Sequence, residues 1–280
     1  MRARNLPAPI RAGAYRGGSI YATRAEAKKR YNPAMPLRKP LTGKVALVTG
    51  GAKRLGKASA LALVRAGADV AITYLTSAKE AQRTVKQLRE GGVQAIGVRC
   101  DVTDLRSVRA AVRQVAEELG RLDILVNNAG TYETVTFDRL TIEQFDYIFA
   151  TNVRGPFLLA KEALPLLRKF RGRIVNLGSL GGLRPWPDHV HYCSSKAAVH
   201  MLTKGMAKAL APEISVNCVA PGMIDMGERA ASQFMTRQAK RTPMNRNGTG
   251  DDVADAVVFF ATAPKFITGQ ILFVDGGLGL

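Results

Sequence analysis

The chain has 280 residues, 46% of them apolar, which is enough for a substantial buried core and too many for wholesale disorder. Its formal charge of +19 invites a nucleic-acid reading, but no aromatic-interleaved basic stripe or DNA-reading motif accompanies the charge. Attraction of an anionic small molecule and solubility are the readings kept, with no nucleic-acid partner expected. Ten of the 41 Lys and Arg residues, but one of the 22 acids (Glu26), fall in residues 1–40, together with five prolines and no sustained apolar period. That segment is a basic extension for which several readings stay open. It is flexible or draped on the surface, or lies upstream of a natural start at Met35, or is an Arg-rich organelle transit peptide.

From Lys44 the pattern becomes regular. Val45–Thr49 reads as a short apolar strand, followed by a glycine turn and helical spacing over Leu55–Ala66. Asp69–Tyr74 is strand-like, and Ser77–Glu90 is helical, with Ser77 as a cap and Glu80 three residues on. Gln94–Arg99 reads as strand, Asp104–Leu119 as helix and Leu122–Val126 as strand. A long helical region covers Ile142–Phe170; then come strand Arg173–Leu177, helix His191–Leu210, strand Ser215–Val219, helix Asp251–Ala261 and a last strand, Ile271–Val274. Strands alternating with helices of a dozen residues require parallel crossovers. The expectation is an α/β fold in which seven strands form one doubly wound parallel sheet with helices on both faces. Ligands then lie beyond the carboxyl ends of the strands, near the point where strand order reverses.

No run of about 18 apolar residues exists, so a membrane span is excluded. Cys100, Cys193 and Cys218 form no CxxC pair, so neither a disulfide framework nor a zinc site is indicated and a reducing, cytoplasmic compartment fits. His189, His191 and His200 lack partners at metal-ligand spacing, and no metal is expected.

The chemistry-bearing residues fall at the strand ends. Thr49-Gly50-Gly51-Ala52-Lys53-Arg54-Leu55-Gly56 joins the first strand to the first helix, where glycines let the backbone approach a pyrophosphate at a helix N-terminus. Asp101-Val102 follows the third strand and Asn127-Asn128-Ala129-Gly130 the fourth. Tyr192-Cys193-Ser194-Ser195-Lys196 puts Tyr192 and Lys196 on one helix face, thirteen residues after Ser179.

Taken in this order, these segments resemble the short-chain dehydrogenase/reductase family over about residues 41–280. The turn resembles its TGxxxGxG fingerprint, with Arg54 where the middle glycine usually stands, as in pteridine reductases and close relatives. The resemblance implies a Rossmann-type fold and hydride transfer with a nicotinamide cofactor. Tyr192 and Lys196 would deliver the proton, Ser179 would hold the substrate oxygen, and Asn152 would link Lys196 through water to solvent. Because hydride addition leaves an anion needing a proton, Tyr192 is expected to be lowered from its ordinary value toward neutrality by Lys196 and the oxidised nicotinamide. The cofactor residues implied are Gly50, Lys53, Arg54, Leu55, Gly56, Tyr74, Thr76, Ser77, Asp101, Val102, Asn128, Ala129, Gly130, Tyr192, Lys196, Pro221, Gly222, Met223 and Ile224. The second strand ends without Asp or Glu, and Lys53 and Arg54 lie close, so NADPH is expected over NADH. Where the family often continues PGxxxT, this chain has Met226, so backbone groups of Met223 and Ile224 stand in for that hydroxyl. Residues 223–247, rich in Met, Arg and Gln, are expected to form a substrate lid. The last strand resembles the one used in tetramer packing, implying a homotetramer or dimer.

Two substrate readings stay open. Arg54, Tyr132 and Trp186 suggest a pterin, whose ring the aromatics would stack, whereas Ser179 suits a 3-oxoacyl thioester or other ketone, since pteridine reductases often carry Asp there. The alternative from another class is a catalytically silent NADPH-binding sensor or interaction protein, against which the full set Asn152, Ser179, Tyr192 and Lys196 argues.

Overall fold

The computed structural model describes residues 39–227 and 233–280. Of the expected extension, residues 1–38 lie outside the described residues, as do residues 228–232 of the expected lid. The first strand, β1 (Val45–Val48), is buried at every position, and α1 (Arg54–Arg65) returns over it to β2 (Asp69–Tyr74). The chain continues through α2 (Ala78–Glu90), β3 (Ala95–Arg99), α3 (Leu105–Leu119) and β4 (Ile124–Asn127). Helix α4 (Ile142–Phe149) runs through one π-helical turn, Ala150–Arg154, into α5 (Gly155–Lys169). Then come β5 (Arg173–Leu177), α6 (Val190–Leu210), β6 (Ser215–Pro221), and a two-residue pair, β7 (Ile224–Asp225) with β8 (Gly248–Thr249), that brackets α7 (Gln233–Arg241). Helix α8 (Gly250–Thr262) and β9 (Ile271–Val274) end the fold.

The sheet has seven strands in the order β3-β2-β1-β4-β5-β6-β9, and every pair is parallel. The doubly wound sheet expected from the sequence is therefore present. Strand order reverses at β1, which has β2 on one side and β4 on the other, so the crevice of this architecture opens where the glycine turn leaves β1. Each face carries its own core. Ala60 and Leu63 of α1, Leu88 of α2 and Val257 and Phe260 of α8 pack one side, and Val108 and Val115 of α3 with Leu159 and Leu167 of α5 pack the other.

Helix starts follow local chemistry in part. Asp104 accepts from the backbone N–H groups of Arg106 and Ser107, and Thr141 with Gln144 forms a reciprocal capping box. Ser77 makes no side-chain capping bond, contrary to expectation, because its backbone (φ −88°, ψ 54°) departs from the extended conformation of a capping residue. Among the described residues, no helix is long and apolar enough to cross a membrane.

Candidate active site

The glycine turn is braced from two strands and a helix. Asn128, at the end of β4, donates its amide to Thr49 O at 2.8 Å and Gly50 O at 3.1 Å. The backbone N–H groups of Asn128 and Ala129 both donate to Thr49 Oγ1. Thr73 of β2 accepts from Gly50 N, and Thr84 of α2 donates to Ala52 O. Asn128 thus holds the turn, and Thr49 of the motif is joined by Thr73 and Thr84, which motif reading passed over, to complete the frame.

The turn fits a dinucleotide. A Cβ at Gly56 would stand 2.3 Å from Gly50 O and 2.5 Å from Asn128 Nδ2, so helix and turn meet with bare backbone between them. Arg54 opens α1 in the left-handed region, φ 53°, at the position where the family has glycine. Lys53, Arg54 and Thr76 are exposed, and no carboxylate stands at the end of β2. Leu55 is partly buried against the core. The Tyr74 ring lies toward Gly97 and lines a cleft of about 440 Å³ with Val85, Lys86 and Arg89. Asp101 accepts from both N and Oγ1 of Thr103, and the buried Val102 packs where a Gly155 side chain would otherwise stand.

The second half gathers at the ends of β5 and β6. Ser179 is buried, with its Oγ accepting from Gly181 N at 3.0 Å. Lys196, also buried, donates to Leu177 O at 2.9 Å and stands 5.8 Å from the centre of the Tyr192 ring. Asn152 sits in the π-helical turn. Its Oδ1 accepts from Thr131 N at 2.8 Å, and its Nδ2 donates to Thr131 O and to Ser195 Oγ, each at 3.0 Å. Ser195 donates in turn to Tyr192 O. The Asn152 side chain therefore pins the segment after β4 to α6. Pro221 ends β6, Gly222 N donates to Val274 O, and Met223 O accepts from Gly248 N. Ile224 pairs with Gly248, and Met226 packs over Gly250.

Electrostatics departs from the sequence expectation. Burial pushes Tyr192 up to about 12, against the opposing hydrogen bond of Ser179, and burial pulls Lys196 down to about 8. The protein alone does not lower the tyrosine, because burial outweighs the Ser179 hydrogen bond and Lys196, which donates to Leu177 O, stands 5.8 Å from the ring centre. Both groups stay protonated near neutral pH, which suits Tyr192 as a proton donor.

Tyr132 and Trp186 are brought to Tyr192. The Tyr132 ring meets it edge-on at 4.9 Å, and the Trp186 ring lies nearly parallel at 6.3 Å.

A glycine turn at the reversal of a parallel sheet, with a buried Ser and Lys and a half-buried Tyr near the ends of the strands, defines an oxidoreductase built to bind a dinucleotide. The family model described as enoyl-(acyl carrier protein) reductase matches residues 50–279. A 3-oxoacyl-(acyl-carrier-protein) reductase of Staphylococcus aureus is 36% identical over 240 residues, covering 84% of this chain and 98% of that protein. A cyclohexanol dehydrogenase of Rhodococcus is 37% identical over 262 residues, covering 85% and 97%. Among solved structures, a dehydrogenase/reductase from Sinorhizobium meliloti aligns with a TM-score of 0.81 and 38% identity, covering 86% of this chain and 96% of that one. A blue fluorescent protein from a metagenomic library, in complex with NADPH, aligns with a TM-score of 0.81 and 34% identity, covering 86% of this chain and all of that one. The chain belongs to the short-chain dehydrogenase/reductase family.

Proposed function

We propose that this oxidoreductase reduces a ketone at the expense of NADPH. The observation that carries the reading is the pairing of buried Ser179 and Lys196 and half-buried Tyr192 with a glycine turn that offers Lys53 and Arg54 and no carboxylate at the end of β2. The cofactor is NADPH. The turn and the N-terminus of α1 receive its pyrophosphate, and the cations accept a 2′-phosphate that an acid there would repel. When bound, the cofactor supplies the hydride. Ser179 holds the carbonyl oxygen, and Tyr192 gives it the proton as charge develops there. Lys196 restores the proton to Tyr192 and stabilises its anion. Asn152 keeps α6 and the segment after β4 in register for that transfer.

The 3-oxoacyl reductase and cyclohexanol dehydrogenase relatives support a C=O substrate. Ser179 supports it too, being the residue expected for a carbonyl. Tyr132 and Trp186, beside Tyr192, favour a flat or cyclic substrate within that class. A pterin has only these rings and Arg54 in its favour. NADPH oxidation should be followed with an acetoacetyl thioester, cyclohexanone, acetophenone and a dihydropterin, each repeated with NADH. Turnover of a ketone with NADPH well ahead of NADH is expected; turnover of the pterin alone, or preference for NADH, overturns the reading.

A further inference from the structure

Four aromatic rings close a circuit at the entrance to Tyr192. Tyr132 stacks on His189 at 4.9 Å and 26°, and His189 meets Trp186 edge-on at 5.6 Å. Trp186 lies parallel to Tyr192, and Tyr192 meets Tyr132 edge-on. His189 is the only member that touches both Tyr132 and Trp186 without being part of the proton relay. Its Nε2 is 3.0 Å from Thr134 Oγ1, a hydrogen bond in either tautomer. One residue earlier, Asp188 O accepts from Val135 N at 2.9 Å. The segment after β4 and the segment before α6 are thus tied side by side, through the Asp188 carbonyl and through the His189 ring, and the ring is the tie that also holds the aromatics. Tyr132 keeps 58% of its surface exposed, so a ring face remains open to a ligand.

We infer that His189 is a positioning residue for specificity: it fixes Tyr132 and Trp186 as a rigid aromatic wall beside Tyr192, and this wall selects cyclic or aryl ketones over linear 3-oxoacyl thioesters. The inference rests on the ketone-reductase reading and goes beyond it. Ring pairs reward a flat partner held at a set distance and angle, whereas a flexible acyl chain gains only contact area. A wall already locked by Thr134 and by stacking loses little conformational freedom when substrate arrives.

The test uses His189→Ala, His189→Phe and His189→Gln in the full chain, with acetophenone, cyclohexanone and an acetoacetyl thioester. In His189→Ala, KM for the two ring ketones should rise about tenfold, the worth of one ring pair or one hydrogen bond. Their kcat and the thioester's KM should stay within about twofold. His189→Phe keeps the stack and His189→Gln keeps a partner for Thr134, so each should recover part of the loss. Trp186 is the single tryptophan of the chain, so its emission reads the wall directly. Acetophenone should quench it in the wild type and quench it less in His189→Ala. A fall in kcat common to all substrates, or an unchanged KM with unchanged Trp186 emission, overturns the inference. If the wild type oxidises NADPH with none of the three, the ketone reading fails, and unchanged Trp186 emission and quenching in His189→Ala then overturn the wall separately.

Discussion

Lys196 is 7% exposed, and burial pulls its ammonium down to about 8. The native chain sheds that proton near pH 8, whereas the unfolded chain keeps it until its ordinary value of 10.5. In this window the unfolded state binds more protons, so the contribution of Lys196 to stability rises with pH and is lost as pH falls through 8. Cys100 and Cys218, pushed up to about 11 by burial, work against it above pH 9, because there the unfolded thiols ionise first. Subtracting a Lys196→Met profile from the wild type cancels Cys100, and Cys218, which Lys196 itself pulls down, is still mostly protonated between pH 8 and pH 9. The difference in unfolding free energy should climb between pH 8 and pH 9 by up to about 1.4 kcal/mol per unit, measured by denaturant titration. A flat difference would mean that Lys196 is not held near 8. Tyr192→Phe removes only the hydroxyl proposed to give the proton. NADPH binding, followed by fluorescence, should change little, while kcat falls by about a hundredfold or more; near-normal turnover would assign the proton to another group. Arg54→Gly relieves a left-handed backbone and removes a cation, so it should raise the KM for NADPH more than that for NADH.

Gly56, in the first turn of α1, packs against the glycine turn. Gly56→Ala would drive a methyl group into Gly50 O and Asn128 Nδ2, backbone and a braced amide that cannot give way cheaply. The affinity for NADPH should drop by about tenfold or more, while the midpoint of unfolding moves by only a few degrees. Titration of cofactor fluorescence and a thermal melt check both, and unchanged affinity would show that the turn does not carry the cofactor. At this scale the sequence was most legible where periodicity is strong. Val45–Val48 and Ser215–Pro221 are buried at every residue, so their apolar runs had no competing explanation. The π-helical turn at Ala150–Arg154 was not legible, because the one extra residue turns the apolar face by about 100° within a single turn, too short a stretch to show a period of its own. The two-residue pair β7–β8 was too short to show alternation. Tyr192 and Lys196 were legible from spacing, but the direction of their shifts was not, since desolvation depends on what packs around a group and not on its neighbours in sequence.

For the whole molecule, the remaining prediction concerns residues 1–40, whose surplus of cations is nearly half of the net charge. The described fold closes without most of that segment. Leu41 is buried and donates its N–H to Ala66 O, while Thr42 bonds to Lys39, so the core is capped at its first described residues. Residues 39–280 form one compact unit, the family match starts at residue 50, and the Staphylococcus aureus relative is covered to 98% by 84% of this chain. Every cofactor and proton-relay residue named above lies beyond Lys44. Charge in the segment is screened over about 8 Å at physiological salt and cannot govern hydride transfer from farther away. A protein beginning at Met35 should therefore keep its thermal midpoint within a few degrees, its NADPH-dependent turnover, and the homotetramer or dimer proposed from the family resemblance. Exposed Phe145, Tyr147 and Phe157 near the π-helical turn and Leu272 on β9 are the apolar surface we propose for that assembly. Melting, turnover and light scattering on both forms decide it. Loss of activity or of assembly in the shorter form would make residues 1–34 a working part of the enzyme, in contact with the site or with a second copy.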